Sequence, residues 1–379
     1  MICIANGTIH TGRGTVLENT DILIEDGKIM KIGKDLKNQA EGFIDASGKV
    51  ILPGFIDAMS ELGIALRRGE VRDNDEVSDP LTPHLKALYA YNGEWVVTQA
   101  PYTYGITALA ASPSNSNVLG GQMAVFRTHG INPFKMLVKD EVGMKGSVTD
   151  QVKDTYGSRN IQPMTKMGIF SMLREILQQA KDYDENDPKT KRDEKCLALK
   201  KVLNHEMPLI MAANNSTEIQ GILRVCGQFD IKPVLALGYD IHEKDVELLE
   251  KTQGVILGNL SYGFNAYSQK ADLEGLYSLY KKGLPVAMAT VGNNPNGKEG
   301  LIWTAARMSQ VADSEDVLSM LSYNAAKMLG VDDRIGSIEE GKDADFVIWS
   351  ANPVETWLGR VEKVFMQGKV VYVQGGYQQ

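Results

Sequence analysis

The chain reads as an α/β protein: a TIM-type (β/α)8 barrel over residues 53–339, with a small β-sandwich built from residues 1–52 and 340–379. Three observations predict this. Both ends are rich in short runs of alternating apolar and polar residues that turn at glycine. The long middle instead alternates short, wholly apolar runs with amphipathic stretches, as expected of strands buried on both faces and separated by helices. About eight such units occupy roughly 290 residues, which suits a closed barrel. A doubly wound open sheet is the competing reading, weakened because no GxGxxG follows a strand.

The elements follow in order. "DILIEDGKIMKIG" sets alternating runs on either side of Asp26-Gly27, a type I′ hairpin signal, and "IDASGKVIL" repeats the pattern less cleanly. "VILPGFIDAMSELG" (50–63) breaks at Pro53-Gly54, resumes through Phe55 and Ile56 and ends polar, so it reads as a buried strand opening onto a loop. Strand side chains alternate, so Met59 and Glu61 point to the same side where that strand runs out. "YGITALAA" (104–111) and "FKMLVK" (134–139) are the next strands. Between them "SPSNSNVLGGQ" (112–122) reads either as a tight turn filling the barrel mouth or as a ligand-binding loop. On the second reading Asn115, Asn117 and Gln122 are candidate ligand-binding residues.

In "MGIFSMLREILQQAKDY", Ile169, Phe170, Leu173, Ile176, Leu177 and Ala180 line one face of a helix. Then come "PLIMAA" (208–213), caps at Asn215 and Ser216, a helix to about Gln228, "KPVLAL" (232–237) and "GVILG" (254–258). A helix near 271–282 and "LPVAMAT" (284–290) complete the barrel repeats. "TVGNNPNGKEG" (290–300) is a loop ahead of a helix where an anion could sit, with Asn293 as its candidate. "DSEDVLSMLSYNAAKMLG" reads as a helix capped at Asp313 or Ser314 and stopped by Gly330. The β-rich end turns at Gln367-Gly368.

Composition narrows the function classes. A net charge of −8 without a basic block excludes the Lys/Arg footprint that nucleic acid needs. No run approaches the ~18 apolar residues of a membrane span and no leader-like start is visible, so a cytoplasmic protein without membrane partners is expected. Cys3, Cys196 and Cys226 stand singly and read as buried small hydrophobes.

The order of a β-rich start, "LPGFIDA", a run of βα units, "SYNAAKMLGVDDRIGSIEEGKDADFVIW" and a β-rich end resembles the amidohydrolase superfamily, in particular its imidazolonepropionase-like branch. "DPLTPHLKAL", "SNVLGGQ" and "TKMG" resemble a subgroup of that branch. The resemblance implies an eight-stranded barrel with a catalytic metal at its C-terminal mouth. It implies His-x-His at the end of the first strand, two further histidines on the middle strands and an aspartate at the last. Here those positions fall on Met59 and Glu61, on Ala212 (with Asn214 two further on), on Leu237 and on Val291. Lys145 in "GMKG" aligns loosely with a lysine that some members carboxylate.

A hydrolytic zinc site takes three His, Asp or Glu ligands and an open position for water. The aligned positions offer one carboxylate, a thioether, a side-chain amide and three hydrocarbons; thioethers suit Cu(I) better than zinc. Of the five histidines, His10 belongs to the sandwich, His205 to the barrel bottom and His242 to a helix start. His84 and His129 are the two expected near the mouth, where Glu61, Asp57 or Asp240 could join them. No cofactor is therefore expected, with zinc or another divalent metal only in a remodelled site.

Three functions remain. The first is a pseudoenzyme without metal-dependent hydrolysis, acting as a binding or partner subunit. Its expected partners are a small molecule in the barrel mouth, an active amidohydrolase paralogue and further copies of itself in a homo-oligomer. The second is a hydrolase of carbon–nitrogen bonds, in non-peptide or cyclic amides, through a remodelled metal site. The third is metal-free chemistry in the old pocket, centred on Glu61.

Overall fold

The computed structural model describes residues 1–65, 67–68, 71–186, 191–261, 266–291 and 297–375. Strand β1 (Ile2–His10) pairs antiparallel with β2 (Val16–Glu25), which turns into β3 (Lys28–Gly33). Asp26 and Gly27 both lie at positive φ, 47° and 78°, so the hairpin is the primed turn that its sequence predicts. β4 (Gly42–Asp45) and β5 (Val50–Pro53) run parallel to β1, one pairing with its start and the other with its end. Gly54 then passes the chain into the barrel. A Cβ there would come within 1.9 Å of the Thr107 hydroxyl oxygen, a space that admits only glycine.

The barrel begins with β6 (Phe55–Ser60), every residue of which is buried. A two-stranded ribbon of β7 (Arg67–Arg68) and β8 (Val71–Arg72) follows in the excursion to the next barrel strand. The remaining staves are β9 (Ile106–Ala111), β10 (Leu119–Arg127), β11 (Leu137–Ser147), β12 (Leu209–Ala212), β13 (Val234–Leu237), β14 (Gly254–Leu257) and β15 (Val286–Met288). They pair side by side in chain order. The Val291 N–H donates to the Met59 carbonyl (3.2 Å), linking the last stave to the first.

Three expectations are corrected here. β10 is antiparallel to both neighbours, so the barrel is not a uniform repeat of eight βα units. The reason is chain length: residues 112–118 are too few for a parallel crossover and permit only a hairpin return. The stretch read as a loop to Gln122 is accordingly strand from Leu119. "FKMLVK" likewise splits, Pro133–Met136 forming a helical turn before the strand starts at Leu137.

Because β10 is inverted, its first residues lie at the mouth and its last at the foot. At the mouth, residues 80–86 run beside it through bridges Leu81–Leu119 and Lys86–Gln122.

The helix Lys166–Asp182 buries Ile169, Leu173, Ile176, Leu177 and Ala180, the apolar face expected of it. Ser216–Gly227 starts at Asn215, whose side chain accepts the Glu218 N–H at 3.0 Å. The stretch read as one helix to Gly330 is two, Ser314–Leu321 and Tyr323–Met328, interrupted where Ser322 takes φ −134° and ψ −85°. All three cysteines are buried and free. No helix among the described residues is long and apolar enough to cross a membrane.

β16 (Phe346–Trp349), β17 (Val361–Met366) and β18 (Lys369–Val373) return to the start of the chain, β16 pairing antiparallel with β5. Both ends thus form one continuous eight-stranded sheet, not two stacked ones. Strand alternation gives it two faces: Ile4, Ile22, Ile24, Phe346 and Ile348 pack on one, Cys3, Ala5 and Leu23 on the other. At its seam with the barrel foot, Arg127 donates from Nε to Asp345 (2.7 Å) and from Nη2 to Asp343 (2.6 Å). Arg334 adds a third bond, to Asp343 (2.8 Å).

Candidate active site

The C-terminal ends of the staves bring some of the expected residues together and separate others. Glu61 directly follows β6, partly buried, and Lys145 sits fully buried on β11. Lys145 donates from Nζ to Asn115 Oδ1 (2.6 Å) and to the Gly146 carbonyl (2.9 Å). Burial raises the Glu61 carboxyl to about 7; the negative charge of Asp75 adds to the rise and the positive charge of Lys145 opposes it. Burial lowers the Lys145 ammonium to about 7 against the pull of Glu61. A buried carboxyl and a buried amine thus lie within each other's electrostatic reach at the mouth, both brought near neutrality.

Beneath them Asp57 accepts the Thr290 N–H (2.9 Å) and the Thr290 hydroxyl (2.5 Å), and Ser60 Oγ lies 3.4 Å from that hydroxyl. This group joins the first stave to the residues just after the last. Burial pushes Asp57 up to about 6, with the bonds from Thr290 holding it down. Leu237 and Val291 both adopt left-handed backbone, at φ 84° and 45°. Such strain in a γ-branched and a β-branched residue costs about 1–3 kcal/mol each and clusters at functional sites.

Other candidates are already spent on the fold. Asn117 donates to the Glu76 carbonyl (2.8 Å) and Thr82 Oγ1 (3.1 Å), and accepts from the Tyr156 hydroxyl (2.6 Å). Gln122 donates to the Pro83 carbonyl (3.0 Å), while its own carbonyl oxygen is buried without a partner. His84 borders that strip, its Nδ1 buried and also unpartnered. His129 is not at the mouth: β10 runs downwards, so the histidine after its end meets Tyr102 edge-on at 5.5 Å near the foot. Asp240 accepts the Ser216 N–H (2.6 Å) and pairs with His242 (2.9 Å) on the outer rim. Asn293 lies outside the described residues.

Ala212 and Ala213 at the end of β12 are buried, and Asn214 donates its backbone N–H to Glu218 (2.7 Å). Among the described residues, no three His, Cys, Asp or Glu side chains gather where they could hold a metal. Glu61 with a thioether, an amide and hydrocarbons does not fit a three-ligand zinc site. Sequence reasoning missed Asn74, 6% exposed, whose side chain beside Glu61 holds that carboxyl down, and Asp75, whose charge raises it. Neither stands in a periodic run, so no sequence signal marked them.

Residues 203–371 match the amidohydrolase family. The chain is 24% identical to a 5-methylthioadenosine/S-adenosylhomocysteine deaminase of Thermococcus sibiricus, over 93% of this chain and 86% of that protein. It is 25% identical to an imidazolonepropionase of Caldanaerobacter subterraneus, over 88% and 85%. An amidohydrolase structure from Thermotoga maritima superposes with a TM-score of 0.90 at 30% identity, covering 99% of this chain and all of that one.

These matches overturn the expectation of a pseudoenzyme acting as a binding subunit. The relatives matched over most of the chain are named as deaminases and imidazolonepropionases, and the matched structure is named as an amidohydrolase. With that fold and those relatives, the chain belongs to the amidohydrolase superfamily, in its imidazolonepropionase-like branch.

Proposed function

We propose that this protein hydrolyses a carbon–nitrogen bond of a small non-peptide or cyclic amide at the barrel mouth, with Glu61 and Lys145 as its proton-transferring pair. The observation that carries the reading is the convergence of their proton affinities at about 7. General acid–base catalysis works best with groups poised near the operating pH, and perturbed pairs of this kind cluster at catalytic sites. The names of the relatives, deaminase and imidazolonepropionase, support the same reaction class.

The steps balance on this chain's own residues. The Glu61 carboxylate takes a proton from water as its oxygen attacks the substrate carbon. The Lys145 ammonium gives a proton to the departing nitrogen as the C–N bond breaks. Glu61 then returns its proton to Lys145, restoring both groups. Asn115 holds the amine in place through its 2.6 Å bond. No step runs through a metal.

The test is a turnover screen of lactams, cyclic imides, ureas and amino-heterocycles, with and without chelator, on the wild type, Glu61→Gln and Lys145→Met. Hydrolysis that both substitutions abolish in folded protein supports the reading. Turnover unchanged in Glu61→Gln, or no hydrolysis of any of these compounds, sinks it.

A further inference from the structure

Both ring nitrogens of His242 meet a carboxylate. Nδ1 lies 2.9 Å from Asp272 Oδ2, and Nε2 lies 2.9 Å from Asp240 Oδ1. A neutral imidazole has one N–H and one lone pair, so it satisfies only one of these oxygens and sets its lone pair against the other. The geometry fits the imidazolium, which donates from both nitrogens.

The two carboxylates belong to different parts of the rim. Asp240 follows β13, and its Oδ2 accepts the N–H of Ser216, the first residue of the helix Ser216–Gly227 (2.6 Å). Asp272 caps a second helix, Leu273–Lys281, accepting the Gly275 N–H through Oδ1 (2.8 Å). His242 therefore stands between the starts of two helices, on the segment 238–247 that leaves β13. That segment lies close on the second helix: a Cβ at Gly275 would meet the Glu243 backbone nitrogen at 2.8 Å.

The charges around the ring are mostly acidic. On its own segment, Asp245 accepts the His242 backbone N–H (2.8 Å), and Glu243 is engaged by Ser278 (2.8 Å) and Lys282 (3.0 Å) near the end of the second helix. Glu274 shares the first turn of that helix with its cap, Asp272. In the helix Ser216–Gly227, Glu218 is engaged by Lys166 (2.5 Å) and by the Asn214 N–H (2.7 Å).

The bonds to Asp272 and Asp240 raise the imidazole above its ordinary value, against burial. The Gly275 N–H holds Asp272 below the usual carboxylate range; burial pushes Asp240 up, but the bonds from Ser216 and His242 outweigh it. Both carboxylates are thus charged near neutrality. Because the folded value of His242 is raised, its contribution is complete below about pH 6.5 and is lost as pH rises through the raised value.

We propose that His242, protonated on both ring nitrogens, is a pH-sensitive clasp that pins the segment after β13 to the starts of two helices on the barrel rim and releases it in alkaline solution. The clasp is independent of the chemistry proposed for the mouth.

Imidazole ¹⁵N NMR of the full chain, with His242→Gln to assign the signals, tests the protonation. Both His242 nitrogens are expected to carry protons below a midpoint that lies above 6.5. Asp272→Asn keeps a capping side chain and removes the charge, so it is expected to bring that midpoint down. Hydrogen–deuterium exchange, corrected for the intrinsic rate at each pH, tests the release. Residues 238–247 are expected to exchange about threefold faster above the midpoint than below it, the effect of a partly exposed ion pair. His242→Gln is expected to exchange at the faster rate on both sides of it, and β17 and β18 to show no step. A His242 midpoint at or below 6.5, a midpoint unmoved in Asp272→Asn, no step in residues 238–247, or the same step in His242→Gln overturns the proposal.

Discussion

The mouth and the foot of the barrel both bury charge, and they treat it differently. At the foot, Arg127 is matched to Asp343 and Asp345, with Arg334 and Lys28 also on Asp343. Burial alone would raise Asp343, but the bond from Lys28 and the charges of Arg127 and Arg334 outweigh it and its carboxyl lies below the usual range, whereas Asp345, with Arg127 as its one cation, is still raised by burial. At the mouth, Glu61 and Lys145 have each other but no such surplus of partners, and both are drawn towards neutrality. A charge fixed by several partners holds elements together; a charge left almost free to change its protonation can carry chemistry.

The contrast can be broken at several points. The largest effect is expected from Glu61→Gln, which removes the base and lowers kcat by about 10²–10⁴-fold while the thermal unfolding midpoint changes little. In the wild type, kcat/KM measured against pH is expected to follow a narrow bell centred near pH 7. It falls on the acid side as Glu61 gains a proton and on the alkaline side as Lys145 loses one. Asp75→Asn removes a charge that raises Glu61, so the acid limb moves to lower pH. Movement the other way would contradict the assignment of that limb to Glu61.

At the foot, Arg127→Met leaves Asp343 and Asp345 without their shared partner. It is expected to lower unfolding stability in urea by about 3–5 kcal/mol. A smaller loss, about 1–3 kcal/mol by the same measurement, is expected of Thr290→Val, which takes the hydroxyl from buried Asp57. Asn215→Ala removes the cap of the helix Ser216–Gly227 and is expected to cost only about 1 kcal/mol.

Legibility differed between elements for physical reasons. The Asp26-Gly27 and Gln367-Gly368 turns were readable because few residues tolerate positive φ, and both pairs adopt it. The helix Lys166–Asp182 was readable because its burial follows its own periodicity. β10 was not, because "VLGGQMAVFR" carries no alternation when every residue is buried. His129 was assigned to the wrong end of the barrel for the same reason, since its position depends on the direction of β10. Glu61 and Lys145 were both visible as candidates, but 84 positions separate them in sequence and nothing local tied one to the other.

The sequence by itself determined the class of fold, the strand-and-turn chemistry of both ends and the residues at which the mouth begins. Those are local properties, set by backbone preference and by the period of apolar residues. Only the tertiary structure decided that one stave runs backwards, that the two ends share one sheet, that Asn115 bonds Lys145, and that Glu61 lies within reach of the charge of Lys145. It also set their proton affinities, because burial and neighbouring charge belong to a place in the fold, and a residue type alone does not carry them.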